Sequence, residues 1–387
     1  MNSTAPQSPA APGGNRFDRM EWAGAFGDLG TLVPFVVAYI AVLKMDPFGI
    51  LFAFGAALLI CGLYYKTPFP VQPMKALGAA AVTQAAQTAL ITSATVYAAG
   101  LVTGLIWLAL GLSGAATGIA RIVPRFVIIG IVLGLGLSFM TEGIKLMNTG
   151  WVIAAIGLAG TLMLLTNRTV PAMFLLLLFG VVCGIIQSPA AVQALSGVRL
   201  ELHAPHFALA ITWHDLWVGT LFLALPQLPL TLGNAVIAIR EENNRLFPAH
   251  PVTDRSLATS TGLMNLAGSC VGGVPMCHGA GGMAGHVAFG ARTGGAPIIL
   301  GAILLVLAFG FSGSIETLLA VFPKAVLGVI LFLTGAQLAL GSCDFSKNKV
   351  ERFITLTTAA FAIWNVGLAF VVGMTLGYMA KRALLRL

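Results

Sequence analysis

The sequence predicts an all-α polytopic membrane protein with about 14 transmembrane segments, arranged as two inverted repeats of seven. The first observation is composition: of 387 residues, 58% are hydrophobic and 9% are charged, and the mean hydropathy is +0.93. A soluble domain carries about 25% charged residues. The second is an uneven distribution of basic residues between alternate loops, and the third is a set of sequence patterns that recur about 200 residues apart.

Apolar runs separated by glycine, proline or charge define the spans, because a helix needs about 20 apolar residues to cross a bilayer. The last two spans share one apolar region divided near Asn365 and Gly367, so a count of twelve or thirteen is an alternative. The predicted spans are 22–43, 47–64, 73–89, 96–118, 124–141, 150–166, 170–188, 214–239, 256–271, 275–290, 296–312, 323–341, 350–365 and 366–382.

The basic residues predict the orientation. With the N-terminus in the cytoplasm, sixteen of the 21 Lys and Arg residues fall inside, and Lys75 falls within a span. Four fall outside, namely Lys44, Lys145, Arg199 and Lys324. Because cytoplasmic loops are enriched in basic residues, we predict a multi-pass protein of the inner (cytoplasmic) cell membrane with both termini cytoplasmic. This distribution also explains the net charge of +8 without a nucleic-acid partner.

Three pairs of segments indicate an internal repeat. They are FGDLGTLVPF (26–35) with LPQLPLTLGN (225–234), PVQPMKALGAA (70–80) with GVPMCHGAGG (273–282), and IVPRFVIIGIVLG (122–134) with VFPKAVLGVILFL (321–333). Seven spans per repeat is an odd number, so the second copy must be inverted in the membrane, which is typical of secondary transporters. The predicted organisation is a disordered cytoplasmic tail (1–20), a first repeat (21–189), an external linker (190–213) and a second repeat (214–387).

One segment in each repeat is too rich in helix breakers for an ordinary span. The segment 272–290 contains Pro275 and many glycines, and the segment 70–80 contains Pro73. Proline suits the first turn of a helix. We therefore predict that each proline begins a half-helix, and that the free N–H groups of both half-helices point into the protein, where they could hold an anion.

Lys75 lies just after Pro73, within the predicted membrane. A cation at a helix N-terminus opposes the helix dipole, which makes sense if Lys75 and the N–H groups all face one anion. The alternative is an internal salt bridge to Asp28. His278 follows Pro275 in the same way, and it is either a donor to the anion or a histidine packed between helices.

Other polar residues lie within the spans, where a polar group is costly unless it has a partner or a function. Asp28 could pair with Lys75, carry a coupling proton or cap an unwound segment. Uncharged groups could bind an oxyanion or join helices: Thr31, Gln72, Gln227, Thr231 and Asn234. Because Asp28 is the one acidic residue clearly at depth, and Cys277 with His278 are too few ligands, we expect no metal site and no cofactor.

The motifs GDLGTLVPF (27–35), PVQPMKA (70–76), LPQLPLTLGNA (225–235) and GVPMCHGAGGMAGH (273–286) resemble those of the molybdate transporter family, a relative of the sulfate permease (SulP) superfamily. The resemblance implies a core domain and a gate domain, with half-helices in the third and tenth spans. It places Gln72, Met74, Lys75 and Ala76 opposite Met276, Cys277, His278 and Gly279. Spans five to seven and twelve to fourteen would form the gate.

The expected function is secondary active import of molybdate, bound between the two half-helix N-termini. The main alternative is transport of sulfate or of tetrahedral oxyanions in general. A distant alternative is an intramembrane enzyme, for which Ser269 and His278 would be the nucleophile and base, although no motif supports it. The expected partners are the oxyanion, the lipid bilayer and a second copy of the chain in a homodimer.

Overall fold

The computed structural model describes residues 14–75, 77–78, 81, 91–165, 167, 172–187, 189–204, 210–340, 342–343, 345–382 and 384. These residues form helices, one two-stranded sheet and their connecting loops. The helices of the first half are α1 (Arg19–Ala25), α2 (Leu29–Leu43), α3 (Pro47–Tyr65), α4 (Ser93–Ser113), α5 (Ala115–Ile122), α6 (Arg125–Met147), α7 (Trp151–Leu164), α8 (Ala172–Gln187) and α9 (Pro189–Ala194). Those of the second half are α10 (Trp213–Val218), α11 (Leu225–Leu230), α12 (Ile239–Leu246), α13 (Asp254–Cys270), α14 (Ala280–Ala288), α15 (Gly295–Phe311), α16 (Ile315–Ala320), α17 (Lys324–Leu340), α18 (Lys349–Trp364) and α19 (Val366–Lys381).

The helices follow the predicted spans. Among the described residues, five helical stretches are long and apolar enough to cross a membrane, and a sixth crossing forms if the bent stretch from Trp213 to Leu246 counts as one span. The remaining predicted spans coincide with shorter helices. The third predicted span, 73–89, lies largely outside the described residues. The predicted mainly helical architecture, with helices in the order of the predicted spans, is therefore confirmed for the described residues.

Short polar residues determine where several spans begin. Asp46 accepts a hydrogen bond of 3.0 Å from the N–H of Phe48, and Pro47 occupies the first position of α3. Thr92 and Thr253 form capping boxes at the starts of α4 and α13. Such side chains pair with N–H groups that have no partner in the first helical turn.

Two spans are irregular where the first repeated motif lies. A 3₁₀ turn, Phe26–Asp28, separates α1 from α2, and π-helical segments, Gly219–Ala224 and Thr231–Ala238, flank α11. The prolines of LPQLP in α11 remove backbone donors, which disturbs the regular i to i−4 ladder. Departures of this kind are frequent at functional sites.

The second repeated motif forms the sheet at the centre of the molecule. Strand β1 (Gln72–Pro73) pairs antiparallel with β2 (Met276–Cys277), with Gln72 opposite Cys277 and Pro73 opposite Met276. The N–H of Met74 donates to the carbonyl of Pro275 at 2.9 Å. Equivalent segments of the two repeats thus pair with each other, as an approximate twofold axis through the sheet requires.

The prediction that Pro275 and Pro73 begin half-helices is wrong. Both lie in extended chain, and α14 begins at Ala280. On the first-repeat side, Lys75 is the first helical residue, and the N–H of Gly78 donates to the carbonyl of Met74 at 2.8 Å. A proline can sit in such a short strand because its carbonyl still accepts, and its missing N–H is not needed for pairing.

The larger helix contacts obey the same symmetry. Helix α3 packs along α15, and α4 packs along α13, so that spans two and eleven form one pair and spans four and nine the other. Helix α6 packs along α17, its own repeat equivalent. The last contact is very close: a Cβ at Gly136 would lie 2.7 Å from the carbonyl oxygen of Gly335. The boundaries of the repeats at 21–189 and 214–387 remain predictions.

The N-terminal segment packs against both halves from Asn15 onward. Asn15 Nδ2 donates to the carbonyl of Gly62 at 3.1 Å, and the N–H of Arg16 donates to Thr293 Oγ1 at 3.1 Å. Buried Glu21 accepts from the N–H groups of Thr293 and Ala296 at 2.9 and 3.1 Å and so caps the start of α15. The tail predicted to be disordered to residue 20 is therefore ordered at 14–20, and residues 1–13 lie outside the described part of the chain.

Candidate functional site

The two half-helices begin on either side of the β1–β2 sheet. Asn265 of α13 holds the second strand in place, since its Oδ1 accepts from the N–H of Met276 at 2.8 Å and its Nδ2 donates to the Met276 carbonyl at 2.6 Å. The side-chain amide therefore pairs with the backbone of Met276 in the way that a neighbouring strand would. Met74, Met276 and Cys277, which were predicted site residues, are buried beside this crossing.

Lys75 lies at the start of the first half-helix. Its Nζ is buried and has neither a hydrogen-bond partner nor an ion-pair partner among the described residues. The salt bridge to Asp28, which the sequence left open, is therefore not formed. The ammonium instead lies over the ring of Phe139, 3.7 Å from its centroid. Burying an ammonium without a charged or hydrogen-bonding partner is costly, and an anion beside it would lower that cost.

Asp28 belongs to a hydrogen-bond network with Thr31 and Gln72. Its Oδ1 accepts from the Thr31 hydroxyl and, at 2.5 Å, from Gln72 Nε2, which also lies 2.8 Å from Thr31 Oγ1. All three side chains are buried. Asp28 also lies against the second half-helix, because a Cβ at Gly282 would be 2.9 Å from Asp28 Oδ2. The carboxylate therefore orients Gln72, and Asp28 is the last residue of the 3₁₀ turn in the first span.

The amides of the eighth span cap both half-helices. Gln227 Oε1 accepts from the N–H of Leu77 at 3.0 Å, while its Nε2 donates to Thr231 Oγ1 at 3.0 Å. Asn234 Oδ1 accepts from the N–H of Ala280 at 3.2 Å. These side chains were predicted as candidates for binding substrate. The structure places them at the site and gives them backbone partners, so that two of the helix N–H groups are already occupied.

His278 lies in the loop before α14 rather than in its first turn. Its Nδ1 lies 2.9 Å from the carbonyl of Pro70, which can only accept, and its Nε2 lies 2.7 Å from Ser260 Oγ. The edges of Tyr65 and Phe69 complete its packing. Neither ring nitrogen is left for an oxyanion, so the side chain agrees with the alternative of a packed histidine.

Glycines at the start of the second half-helix allow close contact with β1 and α6. A Cβ at Gly279 would collide with the Gln72 amide, and a Cβ at Gly281 would collide with the ring of Phe139. Gln72 Oε1 is buried without a hydrogen-bond partner among the described residues. Ala76, a further predicted site residue, lies outside the described residues. Within the described ranges there is no cluster of three or more residues that could hold a metal ion.

Sequence reasoning missed two groups at this site. Asn265 is a polar residue within a predicted span, which is a usable signal. Phe139 is one apolar residue in an apolar span, and nothing in the sequence distinguishes it from its neighbours.

Comparison with known proteins identifies the family. A sequence profile of the family described as "Molybdate transporter of MFS superfamily" matches residues 20–139 and 219–338. The two matched stretches begin about 200 residues apart, the same offset as the repeat. Molybdate transporter 2 of Arabidopsis thaliana is 31% identical over 412 residues, covering 93% of this chain and 87% of the relative.

Solved structures with the same fold include a bicarbonate transporter and an anion transporter. The transmembrane domain of the cyanobacterial bicarbonate transporter BicA matches with a TM-score of 0.58 at 15% identity, covering 92% of this chain and 97% of that one. The murine anion transporter Slc26a9, in its inward-facing state, matches with a TM-score of 0.64 at 13% identity, covering 95% and 69%. At these identities the likeness concerns the fold alone.

Proposed function

Because the chain belongs to the molybdate transporter family, we propose that it carries molybdate across a membrane and binds the oxyanion between its two half-helices, beside Lys75. The relatives are transporters, so the chain is a transporter and not an enzyme. Saturable exchange through a carrier of this fold requires a site that is exposed alternately to the two sides.

The observation that carries the proposal is the buried ammonium of Lys75, which has no polar partner among the described residues. It stands at the first turn of a half-helix, where the helix dipole also favours negative charge. Family membership supplies the substrate class, and Lys75 supplies the place where that substrate would bind. The second half-helix, α14, contributes a further positive helix end on the other side of the sheet.

The anion would be held by Lys75 and by those backbone N–H groups near the sheet that Gln227 and Asn234 do not cap. Gln227 and Asn234 occupy the N–H groups of Leu77 and Ala280, so these amides act as positioning groups for the half-helices. The absence of a side chain at Gly279 lets the Gln72 amide of β1 lie beside the start of α14, where both could contact one small ligand.

Sulfate is the second candidate substrate, because it is also a tetrahedral dianion. The test is uptake of labelled molybdate into proteoliposomes that contain the purified chain, with sulfate as competitor. Saturable molybdate uptake that a tenfold excess of sulfate leaves largely unchanged is the expected result. Equal competition by sulfate would reduce the proposal to a general oxyanion carrier, and an absence of molybdate uptake would contradict it.

We also propose the direction and orientation of transport. The excess of basic residues in alternate loops supports an inner-membrane protein with both termini in the cytoplasm, and import is the direction that would supply the cell with molybdate. A homodimer remains a prediction.

A further inference from the structure

Phe139 contacts both half-helices at once. Its ring covers the Lys75 ammonium on the first half-helix and lies against Gly281 on the second, where a Cβ would collide with it. The side chain itself is 6% exposed. One ring therefore fills the space between the two half-helices on the side of Lys75.

The ammonium lies over this ring and has no hydrogen-bond partner within the described part of the chain. A cation held over an aromatic face is stabilised by the ring quadrupole. An oxyanion stabilises it more strongly, but one of its oxygens must come within about 2.7–2.9 Å of the nitrogen. The ring and the oxyanion would therefore compete for the same ammonium.

The backbone of Phe139 is held by a rigid helix pair. A Cβ at Gly335 of α17 would be 2.8 Å from the Cβ of Phe139, and a Cβ at Gly143 of α6 would be 2.8 Å from the carbonyl oxygen of Gly328. Helices α6 and α17 are the fifth and twelfth spans, which were predicted to belong to the gate. Phe139 thus links Lys75 to this pair.

We propose that Phe139 is a substrate-competing residue: its ring covers Lys75 when the site is empty, leaves when the oxyanion binds, and covers Lys75 again as the oxyanion departs. The inference rests on the proposed function, since it assumes that the oxyanion binds at Lys75. It adds an affinity-determining residue on α6, which ties occupancy of the site to the α6–α17 pair.

The test removes the ring while keeping an apolar side chain of similar size. Loss of a desolvated cation–π contact corresponds to an affinity change of about 3- to 30-fold. We expect Phe139→Leu to bind labelled molybdate more tightly by a factor in that range, and to transport it with a lower maximal rate because release is slower. Phe139→Tyr keeps the ring and should lie closer to wild type than Phe139→Leu.

Two further variants keep the test decisive. Phe139→Met also removes the ring, and it decides the matter if Phe139→Leu fails to fold. Phe126→Leu is the matched control, because Phe126 lies on the same helix about 20 Å away and should leave molybdate binding unchanged.

The outcomes separate the two proposals. Tighter binding with slower transport in the variants without the ring supports the role of Phe139, whereas a merely structural role would weaken binding or leave it unchanged. The role of Phe139 is overturned if the wild-type protein takes up molybdate while Phe139→Leu binds molybdate as tightly as wild type or more weakly. If only Phe139→Met folds, the same result in that variant overturns it. Wild-type protein that takes up no molybdate contradicts the proposed function itself.

Discussion

Lys75 could be identified from the sequence because a lysine within an apolar span is costly and needs a reason. The same signal identified Asp28, Thr31, Gln72, Gln227 and Asn234, all of which the structure places around the two half-helices. Their individual partners could not be predicted. Which amide caps which half-helix depends on the contact between spans from different repeats, and this is a property of tertiary packing.

Phe139 and His278 mark the limits of residue-level reasoning. The ring of Phe139 is recognisable only by its distance to Lys75, since an apolar side chain in an apolar span carries no signal. A histidine within a span is compatible with two environments, an anion site and a position packed between helices, and the sequence does not distinguish them for His278. Its bonds to Pro70 and Ser260 decide for a packed histidine.

Asn265 offers a test at the scale of a single residue. Replacement by Leu would leave both the N–H and the carbonyl of Met276 unpaired, and each buried unpaired group costs about 1–3 kcal/mol. We expect Asn265→Leu to lower the thermal stability of the detergent-solubilised protein and to weaken molybdate uptake. Asn265→Asp, which keeps the acceptor for Met276 N–H, should be less affected; equal stability of wild type and Asn265→Leu would contradict this role.

At the scale of the elements, the sequence located the broken spans correctly but placed the helix starts wrongly. Pro275 was expected at the first turn, where proline is common. The segment instead pairs with its repeat equivalent, and α14 begins five residues later, at Ala280. Proline is compatible with both a helix start and a short strand. Only the contact between the repeats, which no single motif contains, distinguishes them.

The α6–α17 pair allows a prediction about helix packing. A Cβ at Gly335 would lie 2.5 Å from the carbonyl oxygen of Gly136, so Gly335→Ala should destabilise the protein by about 1–3 kcal/mol through overpacking. Gly160 of α7 is the matched control, because nothing lies within 4 Å of a Cβ there. In a helix, Gly160→Ala should be neutral or stabilising by up to about 1 kcal/mol.

Thermal unfolding of the purified variants, followed in detergent, measures this difference. A lower midpoint for Gly335→Ala than for Gly160→Ala is the expected order. The reverse order would show that the α6–α17 contact is not as close as the structure has it.

At the scale of the whole molecule, the inverted repeat explains the contacts that single spans do not. Spans two and eleven pair as spans four and nine do, and the sheet and the α6–α17 pair lie where repeat equivalents meet. The repeat could be predicted from three short sequence matches with one offset. The close pairing of α6 with α17 could not, because it depends on glycines whose partners lie about 200 residues away.

The predicted orientation can be tested with thiols. In a chain whose other cysteines are replaced, exposed Cys343 should be protected from a membrane-impermeant maleimide in intact cells, because it follows the twelfth span on the cytoplasmic side. Ser196→Cys, in the predicted external linker, should react. Labelling of Cys343 together with protection of residue 196 would indicate the opposite orientation.

Binding at Lys75 is tested most directly by measuring the affinity of the purified protein for labelled molybdate. Lys75→Ala should bind about 10- to 100-fold more weakly, because a charge-assisted hydrogen bond is worth about 1.5–3 kcal/mol. Lys347→Ala, which removes an exposed lysine before α18, controls for net charge and should bind like wild type. Wild-type affinity in a folded Lys75→Ala protein would contradict an oxyanion site at Lys75.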